Sequence, residues 1–409
     1  MTTIEPFTRV GAVGGRLRVL LAVEQLRREV PGGIGRYAVG LLDGLRELEA
    51  QEHAATRTSP LVSLLVSRPG GRRGPADEDP LAPWQLPIRA SRLPGPLLTR
   101  AWDHGLARAP RGFDVVHAVS LAAPPVRRRA GPNGGPGPAL SITVHDVAWR
   151  LFPEATTPRG RSWHEAALGR ALRTADGLVA PSEAVAAELV AAGAAPEAVT
   201  VVPLGSDHLP EPDEVTTAAL MRRHGVTGEY LLTAGTLEPR KNLDRLCAAY
   251  AAVRPRLPEP WPLVVVGPQG WGAGPLADPG PGPGPPAGVV AVGEVSDGVL
   301  AALYRGGRLF AYVPLTEGYG LPPLEAMTLG TPVLASTGVP SVEVAAGERE
   351  VAVRVDPLDV EAIAEGLLHA ATDEERRAAL TTAGRALAAG RTWRRVARQH
   401  VALWESLGR

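Results

Sequence analysis

The sequence predicts an α/β protein built from two doubly wound, Rossmann-like units facing each other across a cleft. Three observations carry that expectation. Short apolar runs alternate with helical stretches in both halves of the 409-residue chain, the pattern of parallel sheets covered on both faces. Glycine-rich turns occur at Pro31-Gly-Gly-Ile-Gly35 and Glu317-Gly-Tyr-Gly320, each after an apolar strand-like run. Arginine and lysine together number 43, as do aspartate and glutamate, so no global field recruits nucleic acid or an anionic membrane.

The elements follow in order. In the first half, Arg16 to Val23 reads as a buried strand, then the 31–35 turn, then a helix from Arg36. Further strands are expected over 61–67, 113–118, 139–145, 177–180 and 199–203. Ser182 is placed to cap a helix running to Ala192. The second half repeats the alternation, with strands over 230–234, 263–267, 289–292, 308–312 and 332–335. The expected division is a first unit over 1–208, a second over 209–390, and a terminal segment, 391–409. In that segment a helix from Trp393 to Leu407 packs back on the first unit.

Proline and glycine crowd 68–80, 124–138 and 267–288, which marks surface loops. The Asp77-Glu78-Asp79 triplet falls in one of them and reads as solvated charge, as do Arg72-Arg73 and Arg127-Arg-Arg129. The single cysteine, Cys247, excludes a disulfide framework and sits in an apolar helix. The run 17–23 is too short for a signal-peptide core, and no stretch reaches membrane-spanning length. A cytoplasmic protein with at most peripheral membrane contact is expected.

Two segments carry the chemistry. Of the 43 basic residues one is lysine, Lys241, in Gly235-Thr-Leu-Glu-Pro-Arg-Lys-Asn242 after an apolar strand. A compact ammonium presses on one phosphate oxygen where a guanidinium fork is larger and directional. The second segment is Glu317-Gly-Tyr-Gly-Leu-Pro-Pro-Leu-Glu325, two carboxylates eight positions apart across a glycine turn and a helix start. Gly318 and Gly320 admit close approach of backbone, a helix N-terminus attracts anions, and glutamate accepts from vicinal hydroxyls. No His/Cys cluster or strand-end Asp-x-Asp offers a metal site, so no metal or other cofactor is expected.

Together these segments resemble the GT-B glycosyltransferases of family 4, retaining enzymes that use nucleotide sugars. The E-x7-E stretch 317–325, the 235–242 loop and Val202-Pro-Leu-Gly-Ser-Asp207 are joined by Gly33-Ile-Gly-Arg-Tyr37, Val144-His-Asp-Val147, Ala180-Pro-Ser-Glu183 and Gly293-Glu-Val-Ser-Asp297. The wording of the glutamate segment is similar to the mannosyltransferase-like branch. The resemblance implies a first unit that binds the acceptor and a second that binds the nucleotide sugar. It gives Lys241 to the donor diphosphate, Glu325 to the ribose hydroxyls and Glu317 to the transferred sugar. Backbone at Tyr319, Gly320 and Leu321 joins the donor site, and Glu294 and Val295 receive the base. Many relatives carry arginine where this chain has Thr236, and Arg240 is the candidate replacement. From the first unit, Gly33 and Gly35 approach the diphosphate and His145 contacts the donor sugar. Asp146 orients the His145 loop or supports it, and His117 is either structural or an acceptor contact.

The implied reaction moves a sugar from GDP-mannose or a UDP-sugar to a hydroxyl of a small-molecule, glycan or lipid-linked acceptor, without metal. A nucleotide-sugar epimerase or hydrolase would add acid/base groups this chain does not match. A non-catalytic nucleotide- or glycan-binding module would tolerate loss of Lys241, Glu317 or Glu325, and all three are present. A phosphorylase or sugar-phosphate synthase would share the donor machinery.

Overall fold

The computed structural model describes residues 15–28, 31–52, 59–68, 79–126, 137–270, 286–343 and 349–408. Arg72, Arg73, Asp77, Glu78 and Arg127-Arg-Arg129 lie outside them. Seven parallel strands form the first sheet: β1 (Arg18–Ala22), β2 (Leu61–Val66), β3 (Ile88–Ala90), β4 (Val115–Ala118), β5 (Ala139–Thr143), β6 (Gly177–Ala180) and β7 (Val199–Val201). Their order is β3-β2-β1-β4-β5-β6-β7. Six more form the second: β8 (Leu231–Ala234), β9 (Leu263–Val266), β10 (Val289–Gly293), β11 (Leu309–Tyr312), β12 (Val333–Ser336) and β13 (Val353–Val355), in the order β10-β9-β8-β11-β12-β13.

In each sheet the order of strand addition therefore reverses once, between β1 and β4 in the first and between β8 and β11 in the second, while every strand stays parallel. Loops leaving the carboxyl ends of those strands diverge to opposite faces and open a crevice, which is where ligands bind in doubly wound sheets. Strands β4, β6, β8, β9, β11 and β12 are buried at every residue, as expected for parallel strands with helices on both faces.

Two strands went unread in the sequence, and both lie at sheet edges. β3 is three residues long with every residue exposed, and β13 is a Val-Arg-Val triplet, so neither carries enough apolar pattern to stand out. The first helix begins at Gly32 rather than Arg36 and runs to Glu52. Arg36 is thus inside its first turns.

The terminal helix Trp393–Leu407 leaves the second unit and packs along helix Gly32–Glu52 of the first. Its anchor is Trp393, 2% exposed, whose backbone N–H donates to Asp207 Oδ1 at 2.8 Å and whose indole N–H donates to His208 Nδ1 at 3.1 Å. One residue thereby ties the terminal helix to the junction between units. Trp393→Ala empties that slot and is expected to cost about 3–5 kcal/mol, read as a lower thermal midpoint with the far-ultraviolet dichroism of the surviving fold retained.

Candidate active site

The crevice of the second unit is assembled from the loops after β8 and β11. The β8 loop makes a short 3-10 turn, Pro239–Lys241, closed by Asn242 in the left-handed region at φ 60°. Asparagine tolerates that conformation better than most side chains. Its buried amide donates to the carbonyls of Val313 (2.9 Å) and Pro357 (2.7 Å), and the Leu315 N–H donates to the Arg240 carbonyl at 2.9 Å. The two loops are zipped together before any charged side chain is considered.

That zipper aims two cations at one carboxylate oxygen. Lys241 Nζ donates to Glu317 Oε1 at 2.6 Å and Arg240 Nη1 at 2.9 Å, while the Tyr312 hydroxyl donates to the same atom at 2.8 Å. Lys241 also reaches the Tyr312 oxygen at 2.7 Å, and Arg240 holds Glu238 at 2.9 Å. Burial alone would raise the Glu317 carboxyl, but Arg240 and Lys241 outweigh it and hold it at about 2. Burial and the Glu317 charge push the Tyr312 phenol well up, so it stays a donor. Among the described residues Glu317 Oε2 has no hydrogen-bond partner, which leaves one face of the carboxylate for other company.

A second buried carboxylate sits deeper. Glu325, 1% exposed, lies in helix Leu321–Leu329. Its Oε1 accepts from Arg36 Nη1 at 2.9 Å and lies 3.0 Å from His208 Nε2; its Oε2 accepts from the Tyr304 hydroxyl at 3.0 Å. The Trp393 indole can only donate, so His208 Nδ1 accepts and the ring proton faces Glu325 from Nε2, an assignment made from the partners. Burial again works against ionisation, and Arg36 with the His208 and Tyr304 bonds holds the carboxyl at about 2. Arg36 comes from the first unit, and its other nitrogen meets Asp297 at 3.0 Å.

The first unit meets this crevice at Gly318. A Cβ there would lie 1.7 Å from the His145 carbonyl oxygen, and the Ser182 hydroxyl donates to the Gly318 carbonyl at 2.7 Å. Ser182 also caps helix Glu183–Ala191 by accepting from the Val185 N–H at 3.2 Å. The missing side chain at 318 thus serves contact between units, where the sequence reading gave it to ligand approach. Gly320, at φ 91°, supplies the left-handed turn into the following helix. Pro322 and Pro323 carry no N–H, so half the donors a helix start ordinarily offers are gone; fixed cations must supply more of the positive field.

The remaining sequence candidates sort by position. His145 Nε2 donates to the Val119 carbonyl at 2.8 Å, its ring stands edge-on to Tyr37 at 4.8 Å, and burial lowers its pKa. Asp146 Oδ1 accepts from the Ala148 N–H at 3.0 Å, which shapes the His145 loop. His117 is fully buried among Tyr37, Ser141, His400 and Trp404; enclosed there, it meets core groups and not the cleft. Gly33 faces open space, whereas a Cβ on Gly35 would lie 2.3 Å from Pro31 Cβ, so Gly35 is needed by its own turn. Thr236 is half-buried after β8, and the Tyr319 hydroxyl donates to the Leu204 carbonyl at 3.2 Å. Leu321 is buried at the first position of its helix. Exposed Glu294 and half-buried Val295 follow edge strand β10.

Two family models match this chain in tandem: "Glycosyltransferase Family 4" over residues 31–208 and "Glycosyl transferases group 1" over 221–387. Between them they span all but the two ends and the junction. The chain is a glycosyltransferase of the GT-B fold. It is 29% identical over 270 residues to O-antigen chain mannosyltransferase B of Escherichia coli, covering 65% of this chain and 70% of that one. It is 32% identical over 108 residues to a D-inositol 3-phosphate glycosyltransferase of Corynebacterium urealyticum, about a quarter of either chain: 26% of this one and 25% of that one. In three dimensions it is similar to Anabaena HepE, solved with UDP and glucose (TM-score 0.65, 18% identity, 95% of this chain and 100% of that one).

Sequence reasoning missed Arg36, His208, Tyr304 and Tyr312, all within hydrogen-bonding reach of the two glutamates. Arg36 and His208 stood inside or beside quoted motifs, and neither tyrosine carried a sequence signal beyond its strand or helix. Among the described residues no cluster of three His, Cys, Asp or Glu side chains could hold a metal ion, and no helix is long and apolar enough to cross a membrane.

Both glutamates are depressed from an ordinary 4.5 to about 2, which fixes a sign. Groups lowered on folding contribute stability that is complete above the unfolded value and lost as pH falls through the folded one. Thermal midpoints are therefore expected to fall between about pH 5 and 2. The gap between the wild-type protein and Glu317→Gln should shrink over that interval; a gap independent of pH would contradict the assignment.

Proposed function

We propose that this glycosyltransferase takes a nucleoside diphosphate sugar as donor and transfers the sugar to an acceptor hydroxyl with retention of configuration and without metal. The observation that carries the reading is the convergence of Lys241 and Arg240 on Glu317 at the point where the strand order of the second sheet switches. Departure of a nucleoside diphosphate concentrates negative charge on its outer phosphate. Preorganised cations in a half-buried site stabilise that charge, commonly the largest single contribution to catalysis.

In this reading Lys241 and Arg240 bind the diphosphate, Arg240 standing in for the cation absent at Thr236, and Glu325 holds the ribose hydroxyls. The Glu317 Oε2 face accepts from a hydroxyl of the transferred sugar, steadied by His145 from the opposite unit. Backbone at Gly33, Tyr319, Gly320 and Leu321 lines the donor, with Glu294 and Val295 at the base. A carboxylate held near 2 and capped by three donors is a poor base and a weak nucleophile at neutral pH. That supports Glu317 as a stabiliser of positive charge at the anomeric carbon, with the departing phosphate oxygen taking the acceptor proton as the new glycosidic bond forms on the same face.

Likeness to a mannosyltransferase supports mannose, carried by GDP, as the first donor to try, and likeness to a protein solved with UDP and glucose supports UDP-sugars as the second. The test is a thermal-shift panel of GDP, UDP, dTDP and ADP with their sugars, with and without EDTA. One nucleotide family should raise the midpoint, unchanged by EDTA. With the donor so found, Lys241→Ala is expected to lower turnover roughly 10²–10³-fold while leaving the fold intact. Undiminished turnover in that variant would refute the phosphate assignment, and a shift abolished by EDTA would refute metal independence.

A further inference from the structure

The carboxylate assigned above to the ribose is already engaged. An ionised glutamate offers about four lone-pair positions. On Glu325 three are engaged: Arg36 and His208 on Oε1, and Tyr304 on Oε2. A ribose presents two vicinal hydroxyl donors and needs two positions, so one present partner must leave. His208 has a side chain 4% exposed and is pinned from behind by Trp393, while Tyr304 is fully buried. Arg36 is 31% exposed, crosses from the other unit on a long flexible side chain, and its second carboxylate, Asp297, is 58% exposed, so that tie is readily given up to water. It is the partner that can move.

We propose that Arg36 is a latch that occupies the ribose position of Glu325 in the nucleotide-free enzyme, so that donor binding must displace it. This rests on Glu325 being the ribose acceptor. Binding and the contact between units are then coupled: the nucleotide breaks two ion pairs that span the cleft, Arg36–Glu325 and Arg36–Asp297. A protein whose competent state is only partly populated shows an affinity reduced by that fraction. Removing the latch removes that reduction. Because the pairs are partly exposed, added salt weakens them as well.

The experiment is calorimetric titration of UDP, GDP, dTDP and ADP, and of 2′-deoxy-UDP, -GDP and -ADP, into the full-length wild-type protein, Arg36→Gln, Asp297→Asn and Glu325→Gln. Arg36→Gln should bind the preferred ribonucleotide roughly tenfold tighter than wild type, and Asp297→Asn, which leaves Glu325 and its pocket untouched, should bind it severalfold tighter. Both should keep the preference for ribose over deoxyribose. Unchanged or weaker binding in both variants, with that preference intact, overturns the latch and leaves the ribose assignment standing. If wild type and Arg36→Gln bind ribo- and deoxynucleotides alike and Glu325→Gln binds as wild type does, the ribose assignment falls and the latch with it. If nothing binds wild type, the latch still requires binding to appear in Arg36→Gln, and its absence there refutes it.

Discussion

A buried carboxylate needs compensation, and Glu317 receives it from two cations and a phenol on a single oxygen. Most of the second unit's crevice follows from that requirement. Lys241 and Arg240 can converge only if the loop after β8 turns back towards β11. That turn depends on Asn242 taking a left-handed conformation and spending its amide on two carbonyls across the gap. Replacing the pair by apolar side chains could give an equally stable protein, since buried ion pairs seldom repay their desolvation. Under the proposed function the pair is a preorganised field for an anion.

The two units are drawn together by different means. At Gly318 the contact is steric and polar: backbone meets backbone closely enough that no side chain fits, and Ser182 closes the hydrogen bond. At Glu325 the contact is ionic and runs through Arg36. The terminal helix adds a third tie, since Trp393 orients His208, which in turn faces Glu325. A helix that returns to the first unit is thus connected, in two hydrogen bonds, to a carboxylate of the second. The ties thus differ in kind, a steric contact at Gly318 beside a partly exposed ion pair at Arg36.

Fold and chemistry were legible to different depths. Central parallel strands such as β8 and β11 are continuous apolar runs and were read within a residue or two. The edge strands β3 and β13 were missed because three residues carry no period. Glu317, Glu325, Lys241 and Arg240 stand out in the sequence because their motifs hold them in fixed local frames, and the structure places each in a buried ion pair. The partners brought in from far along the chain do not stand out. Arg36 is 289 positions from Glu325 and His400 is 363 from Tyr37, and no local pattern announces such meetings. Gly318 and Gly35 were read correctly as positions where a side chain is unwelcome, but what crowds them is protein, the His145 carbonyl and Pro31. His117 illustrates the converse: a histidine at a strand end looks available until helix Trp393–Leu407 covers it.

A crystal structure of the wild-type protein with its stabilising nucleoside diphosphate would test most directly whether the Lys241–Arg240–Glu317 cluster is the donor's phosphate site. The outer phosphate should lie within hydrogen-bonding distance of Lys241 Nζ, with the ribose on Glu325. A nucleotide bound elsewhere, with Lys241 still closed on Glu317 and no phosphate oxygen near it, would contradict the site at its root.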